Sequence, residues 1–183
     1  MSIRETLEII GASSSQTTRL LTKGTRDNES LSVWQDTVSG VIFIDEFYVG
    51  DQEYKSGLYR SGAELSSQDY EAVIDCERRI KAYSQFCVGK DICDFGCGHG
   101  DFLIAMRQNC KSVVGVELQK SSRDFLEGNS ISSFETLQSL EDSSLDTVLS
   151  FHVLEHLQNP VDYLNEMARK VRKGGQIILE VPS

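Results

Sequence analysis

The rhythm of apolar and polar positions changes near residue 90. From Lys90 onward, apolar residues come in short consecutive runs such as Val113-Val114-Gly115-Val116, Thr147-Val148-Leu149 and Ile177-Ile178-Leu179. Stretches of helical spacing separate these runs. Consecutive apolar positions suit strands buried on both faces, and their alternation with helices predicts βαβ units and a parallel sheet. The expected strands are 91–95, 112–117, 131–135 (weak), 145–151 and 176–181, with helices over 100–109, 119–128 and 160–172. Right-handed crossovers then make a doubly wound α/β sheet. Pro160 at the start of the last helix and Gly174-Gly175 just past its end fit the usual asymmetry of helix termini.

Before residue 90 the signals are more mixed. Residues 66–87 carry a helical stripe of Tyr70, Val73, Ile74, Ile80, Tyr83 and Phe86, with Ser66 or Ser67 as N-cap. The runs LSVWQDTV (31–38) and VIFIDEFYV (41–49) flank Ser39-Gly40, which predicts a β-hairpin. Ser2–Ile10 suits a short helix, and the rest of the first 30 residues reads as a polar loop or arm. Residues 54–62 form a loop rich in aromatic residues and glycine. The expected organisation is therefore an N-terminal arm, hairpin and loop over 1–65, and an α/β core over 66–183.

Composition narrows the class. The chain has 183 residues, 39% hydrophobic and 25% charged, an ordinary globular balance. Its formal net charge of −10 repels nucleic-acid phosphates and anionic lipid. The basic groups Arg78-Arg79-Lys81 and Arg169-Lys170-Arg172-Lys173 are short, and the second suits a helix C-terminus. Five cysteines, with no CxxC pair, argue against a disulfide framework or a zinc ribbon. No apolar run reaches membrane-spanning length, and the charged first ten residues do not resemble a signal peptide. A reduced cytoplasmic location is the simplest expectation.

The candidate chemistry sits in Asp94-Phe95-Gly96-Cys97-Gly98-His99-Gly100, directly after the first core strand. Ligands of open α/β sheets bind beyond the carboxyl ends of the strands. Glycines there remove Cβ atoms and permit positive φ, so main chain can approach a ligand closely. A dinucleotide fingerprint would place its third glycine one position later, where Asp101 stands. Asp94 would repel a pyrophosphate and attract a cationic or amino-bearing ligand. Glu117, at the end of the second core strand, is placed to accept hydrogen bonds from ribose hydroxyls. Together these point to a nucleoside carrying a positive centre, a description that S-adenosylmethionine fits.

These segments resemble class I S-adenosylmethionine-dependent methyltransferases. Asp94–Gly100 is similar to the family's first motif and Val113–Leu118 to its second. Leu145–Val148, Val153-Leu154-Glu155-His156-Leu157 and Asn159-Pro160 resemble the fourth-strand region. Val171-Arg172-Lys173-Gly174-Gly175, leading into Ile177–Pro182, resembles the turn before the fifth strand and that strand. The resemblance covers about residues 90–183, and it implies a Rossmann-like fold. Position by position, it implies that Asp94, Gly96, Cys97, Gly98 and Gly100 line the methionine part of the cofactor. It further implies that Glu117 holds the ribose and Leu118 the adenine. Glu135 and Thr136 would meet the adenine edge, and Ser150, Phe151 and His152 would border the cofactor. The product would be S-adenosylhomocysteine. The family's sheet usually has two more strands, so this chain would be either a fragment or a domain whose sheet edge is covered. The N-terminal hairpin, a partner or a second copy would then cover the edge. The stretch SGVIFIDEFYVGDQEYKSGLYRSG is similar to the segment preceding the core in some sugar and natural-product C-methyltransferases, which makes Tyr54, Tyr59 and Arg60 candidates for a lid.

Methyl transfer from a sulfonium needs alignment and exclusion of water, and a general base only for some acceptors. His152 is the candidate base, with a loop histidine packed on the cofactor or bonded to backbone as the alternative. His152, Glu155 and His156 are similar to a metal-ligand set of some O-methyltransferases, but glutamate is replaced at the first position, and no metal is expected. Cys97 is read as a small space-filling residue and His99 as an exposed loop residue. The expected function is methyl transfer to a small-molecule acceptor, such as a sugar, a polysaccharide precursor or another metabolite. The competing readings are a catalytically silent domain of the same fold and a nicotinamide-linked oxidoreductase, which the glycine spacing disfavours.

Overall fold

The structure, a computed structural model, describes residues 2–25, 29–45, 70–157 and 159–182. It divides into two compact units, one within residues 1–49 and one within residues 50–183.

The first unit opens with helix α1 (Ile3–Ile9), whose Ser2 and Glu5 form a reciprocal capping box. Three antiparallel strands follow: β1 (Thr18–Lys23), β2 (Ser32–Asp36) and β3 (Ile42–Ile44), in that spatial order. The expected hairpin is β2–β3, although its turn spans residues 37–41 and not two residues. Asp36 organises that turn. Its carboxylate accepts from the Thr17 hydroxyl and from the backbone N–H groups of Ser14, Val38 and Ser39. The Thr17 bond, before the others, holds its carboxyl well below the usual range. Arg4 lies over the rings of Trp34 and Phe43, 4.8 and 5.2 Å from their centroids. Strand β1 corrects the expectation of a loose arm. Five of its six residues are exposed, so no face of it is buried, and its backbone pairing with β2 is what orders it.

The second unit is the expected doubly wound α/β sheet. Helix α2 (Tyr70–Tyr83) runs into a 3₁₀ turn over Ser84–Phe86 and leads to the central strand β4 (Asp91–Phe95). Then come α3 (Asp101–Met106), β5 (Ser112–Val116), α4 (Lys120–Gly128) and β6 (Ser132–Phe134). Strand β7 (Leu145–Phe151), α5 (Pro160–Lys170) and β8 (Val171–Glu180) complete it. All five strands are parallel, in the order β6-β5-β4-β7-β8. The order reverses between β5 and β7 on either side of β4, which sets the ligand-binding crevice at the end of β4.

One face of the sheet is packed by Ile92, Leu103, Met106, Leu126 and Leu149. The other is packed by Cys93, Val116, Val148, Leu145 and Met167. Two expected boundaries move. The last helix ends at Lys170, because Val171 already pairs with Leu145. The pairing then jumps from Leu145↔Val171 to Thr147↔Gln176, so Arg172–Gly175 bulge out of the ladder. Of the expected stripe on α2, Ile80 and Tyr83 pack against the core, whereas Val73, Ile74 and Phe86 are exposed.

Candidate functional site

The glycine loop leaves β4 through three left-handed residues: Gly96, Gly98 and Gly100 have φ of +75°, +56° and +73°. A side chain would also collide at two of them. A Cβ on Gly96 would stand 2.3 Å from Val153 Cγ2, and one on Gly100 would stand 2.2 Å from Leu126 Cδ2. The loop is therefore tight on its protein side and offers bare main chain on the other. Cys97 turns its sulfur toward the core, where a Cβ on Gly115 would come within 2.7 Å of it. Burial, with Asp94 nearby, pushes its thiol up, so this cysteine is a packing residue rather than a nucleophile.

Asp94 is buried at 3% exposure, and its Oδ1 has no hydrogen-bond partner among the described residues. Burial raises its carboxyl to about 8, against the pull of Arg79 and with the Glu117 charge adding to the rise. One strand away, the Ser150 hydroxyl is likewise buried without a partner among the described residues. Two unpartnered polar groups at the carboxyl ends of adjacent central strands are what a polar ligand would satisfy. Glu117, just beyond β5, accepts from the Gly98 N–H through Oε2 and from the Gln119 N–H through Oε1, each at 2.9 Å. A carboxylate has about four acceptor positions, so room remains for two ribose hydroxyls. Arg123 supports this corner by donating to the carbonyls of Glu117 and Leu118, at 2.6 and 2.7 Å.

The other expected residues lie at or just beyond the carboxyl ends of strands. Glu135 and Thr136 follow β6, with Arg123 3.5 Å from Glu135 Oε2. Phe151 ends β7, but its ring belongs to the core. It stacks on Tyr83, meets Phe102 edge-on and lies under the Arg79 guanidinium at 4.6 Å. Only its main chain is left to border a ligand. His152, next in sequence, has φ of +56°, a left-handed conformation that a non-glycine residue rarely adopts. His99 is half-buried rather than exposed, edge-on to Phe125. The proposed lid residues Tyr54, Tyr59 and Arg60 lie outside the described residues.

A cluster beside His152 escaped the sequence reading. Glu180, the last residue of β8, receives Arg78 (2.7 and 2.9 Å), Arg79 (3.2 Å) and the Tyr83 hydroxyl (3.1 Å) from α2. Arg78 holds its carboxyl down at about 2, against a burial effect. Arg79 also pairs with Asp75 at 2.6 Å, and its charge draws the Asp94 carboxyl down. Asp75, His152 and Glu180 offer ligand atoms within 4.8 Å of one another. The two arginines already neutralise both carboxylates. His156 and Glu155, the rest of the sequence-derived metal set, lie 3.9 Å apart. Among the described residues no helix is long and apolar enough to cross a membrane.

Comparison with known proteins gives a consistent picture. A family model described as "Methyltransferase domain" matches residues 70–183, well over half of the chain. A Mycolicibacterium smegmatis protein named for S-adenosylmethionine-dependent methyl transfer is 26% identical over 107 residues, covering 53% of this chain and 40% of that protein. The tRNA U34 carboxymethyltransferase of Haemophilus influenzae is 29% identical over 127 residues, covering 58% of this chain and 39% of its own length. The chain thus spans about two fifths of the length of these relatives. Among solved structures, a SAM-dependent methyltransferase from Archaeoglobus fulgidus superposes with a TM-score of 0.53 at 27% identity, over 58% of this chain and 51% of that one. With the parallel sheet, the glycine loop and the acidic residues at two adjoining strand ends, these matches make the chain a member of the class I S-adenosylmethionine-dependent methyltransferases.

Proposed function

We propose that the chain transfers a methyl group from S-adenosylmethionine to a small-molecule acceptor by in-line displacement, in the cytoplasm. The observation that carries this reading is Asp94, a buried carboxyl whose Oδ1 has no partner among the described residues, at the foot of the glycine-rich loop. A cationic, amino-bearing ligand supplies what that group lacks, and S-adenosylmethionine, when bound, supplies an electrophilic methyl on a sulfonium. In this reading the core over 66–183 carries the chemistry, and residues 1–65 form an accessory arm. Asp94, Gly96, Cys97, Gly98 and Gly100 bound the methionine end. Glu117 holds the ribose, Leu118 the adenine face, and Glu135 and Thr136 its edge. Ser150 offers its hydroxyl, and Phe151 and His152 border the reacting end.

For a hydroxyl acceptor, the O–H bond breaks and the new O–CH₃ bond forms as the sulfonium S–CH₃ bond gives way, its electron pair staying on the sulfur of the S-adenosylhomocysteine that leaves. His152 accepts the proton and releases it to solvent afterwards. Alignment of the acceptor is the larger contribution, on the order of 7–11 kcal/mol where orientation is ideal. The net charge of −10 favours a small acceptor over a nucleic acid. The similarity to a tRNA-modifying enzyme makes tRNA the competing class, and a silent domain is the other alternative.

Calorimetric titration with S-adenosylmethionine and S-adenosylhomocysteine, with NAD as control, tests the binding half. Micromolar binding that is lost in Glu117→Ala is expected. A folded sample that binds neither compound overturns the proposal and favours the silent domain. A labelled-methyl screen of sugars, small metabolites and bulk tRNA then tests the acceptor, and label on tRNA alone refutes the small-molecule assignment.

A further inference from the structure

The N-terminal unit holds a cation against two rings. In the sheet register, Leu20, Trp34 and Phe43 stand opposite one another on β1, β2 and β3, so their side chains share one face. The Arg4 guanidinium lies over this row, 4.8 Å from the Trp34 centroid and 5.2 Å from that of Phe43. Its Nε donates to Asp45 Oδ2 at 2.5 Å. Two aromatic faces and a carboxylate are the chemistry that selects a guanidinium, which is planar, stacks on rings and is weakly hydrated.

Arg4 is an incomplete fit to this cage. Its Nε engages one Asp45 oxygen, whereas a guanidinium fork can take both. The other oxygen, Oδ1, is buried and has no partner among the described residues. The helix that delivers Arg4 has seven residues and none of them is buried, so burial of its own side chains does little to hold α1 down. Ile3 and Ile9 on it, and Ile10 just after it, are exposed. Leu20, beside Trp34 in the row, is 41% exposed, which leaves apolar surface next to the cage for the neighbour of an incoming arginine.

We propose that Trp34, Phe43 and Asp45 form a binding cage for an arginine side chain of a partner polypeptide, with Arg4 as a tethered occupant that the partner displaces. The net charge of −10 draws such a cationic partner in. The cage lies in the N-terminal unit, and the proposal assumes nothing about methyl transfer.

Trp34 is the only tryptophan of the chain, so its fluorescence reports on the cage in the full-length protein. The probe is N-acetyl-arginine amide, and the control is its citrulline counterpart, of the same shape without the charge. In Arg4→Ala the arginine probe should change Trp34 fluorescence saturably, and the citrulline compound should not. Asp45→Asn in that background should weaken the arginine probe at least about fivefold, because a charged acceptor becomes a neutral amide. In the wild-type chain the probe should bind at least about tenfold more weakly than in Arg4→Ala, because it competes with a tethered occupant at millimolar effective concentration. An Arg4→Ala chain that is folded by circular dichroism but gives no saturable response, or answers both compounds equally, overturns the proposal. So does equal affinity in the wild-type and Arg4→Ala chains, which would put the probe elsewhere. If Arg4→Ala does not fold, the wild-type chain decides alone. The Arg4 Nε–H resonance should move toward the position of free arginine as the probe is raised to about 100 mM, well above the effective concentration of the tether. A stationary resonance overturns the proposal.

Discussion

Asp91 and Asp94 stand three residues apart on the same central strand, both buried, and their surroundings are opposite. Asp91, at the amino end of β4, is fully partnered by Lys111 (2.7 Å), Ser112 (2.7 Å) and Arg172 (3.0 Å). The Lys111 bond leads in holding its carboxyl down at about 2. Asp94, at the carboxyl end, has an oxygen with no partner among the described residues, and burial holds it up at about 8. Neighbouring groups repeat the contrast. The Asp146 carboxylate at the amino end accepts from the Asp91 N–H and from Arg172, while the Ser150 hydroxyl at the carboxyl end has no partner among the described residues. Among the described residues, the amino end of the sheet is closed by its own side chains, and polar groups at the carboxyl end lack partners.

The sharpest way to break the contrast is at the glycine loop. Gly96→Val should cost at least about 3 kcal/mol, from a β carbon driven into Val153 and a left-handed backbone. A large fall in Tm and loss of S-adenosylhomocysteine binding are the expected readouts. A stable variant with intact binding would show that the loop is not the close-approach surface.

Next come the two aspartates, whose pH windows should not overlap. Asp94 in the folded chain stays protonated up to about 8, whereas an unfolded aspartate ionises near 4. Between those values the folded state binds more protons. Stability therefore falls with rising pH across that window, by up to about 1.4 kcal/mol per unit, and levels off above it. Asp94→Asn should remove this slope and gain about 2–4 kcal/mol at pH 7, while weakening the cofactor analogue. Asp91 behaves in the opposite way. Its stabilisation is full above about 4 and is lost as pH falls toward about 2. Asp91→Asn should cost about 2 kcal/mol at neutral pH and leave ligand binding intact. Urea titrations of the wild-type chain and both variants from pH 2 to 9 check the stability statements, titrations with S-adenosylhomocysteine check the two on binding, and parallel pH profiles would erase the distinction between the two ends.

A milder probe is Thr147→Val. The buried hydroxyl donates to the Phe86 carbonyl at 2.7 Å. Its loss should cost about 1 kcal/mol by chemical denaturation, without altering ligand affinity.

What was legible in the sequence follows the same divide. Strands β5, β7 and β8 announce themselves through consecutive apolar residues, as strands packed on both faces do. The glycine loop is legible because its residue types are dictated locally by backbone angle. Strand β1 is not, since most of its residues are exposed and its order comes from pairing with β2. The partners of Glu180 are equally hidden: Arg78, Arg79 and Tyr83 are 97–102 residues away, and no local pattern encodes a contact of that span. His152 was visible as a histidine after a strand, but its left-handed backbone and its grip by Glu180 are properties of the assembled sheet.

That long span between α2 and Glu180 also bears on the order in which the domain assembles. Closing a loop of about 100 residues is entropically unfavourable until the strands between have paired, so the arginine–glutamate clamp belongs on the native side of the folding barrier. Weakening it through Arg78→Gln should leave the refolding rate nearly unchanged and quicken unfolding. The corner that holds the histidine would then be the first part of the core to open and the last to set, giving the reacting end of the crevice a lifetime shorter than that of the sheet beneath it.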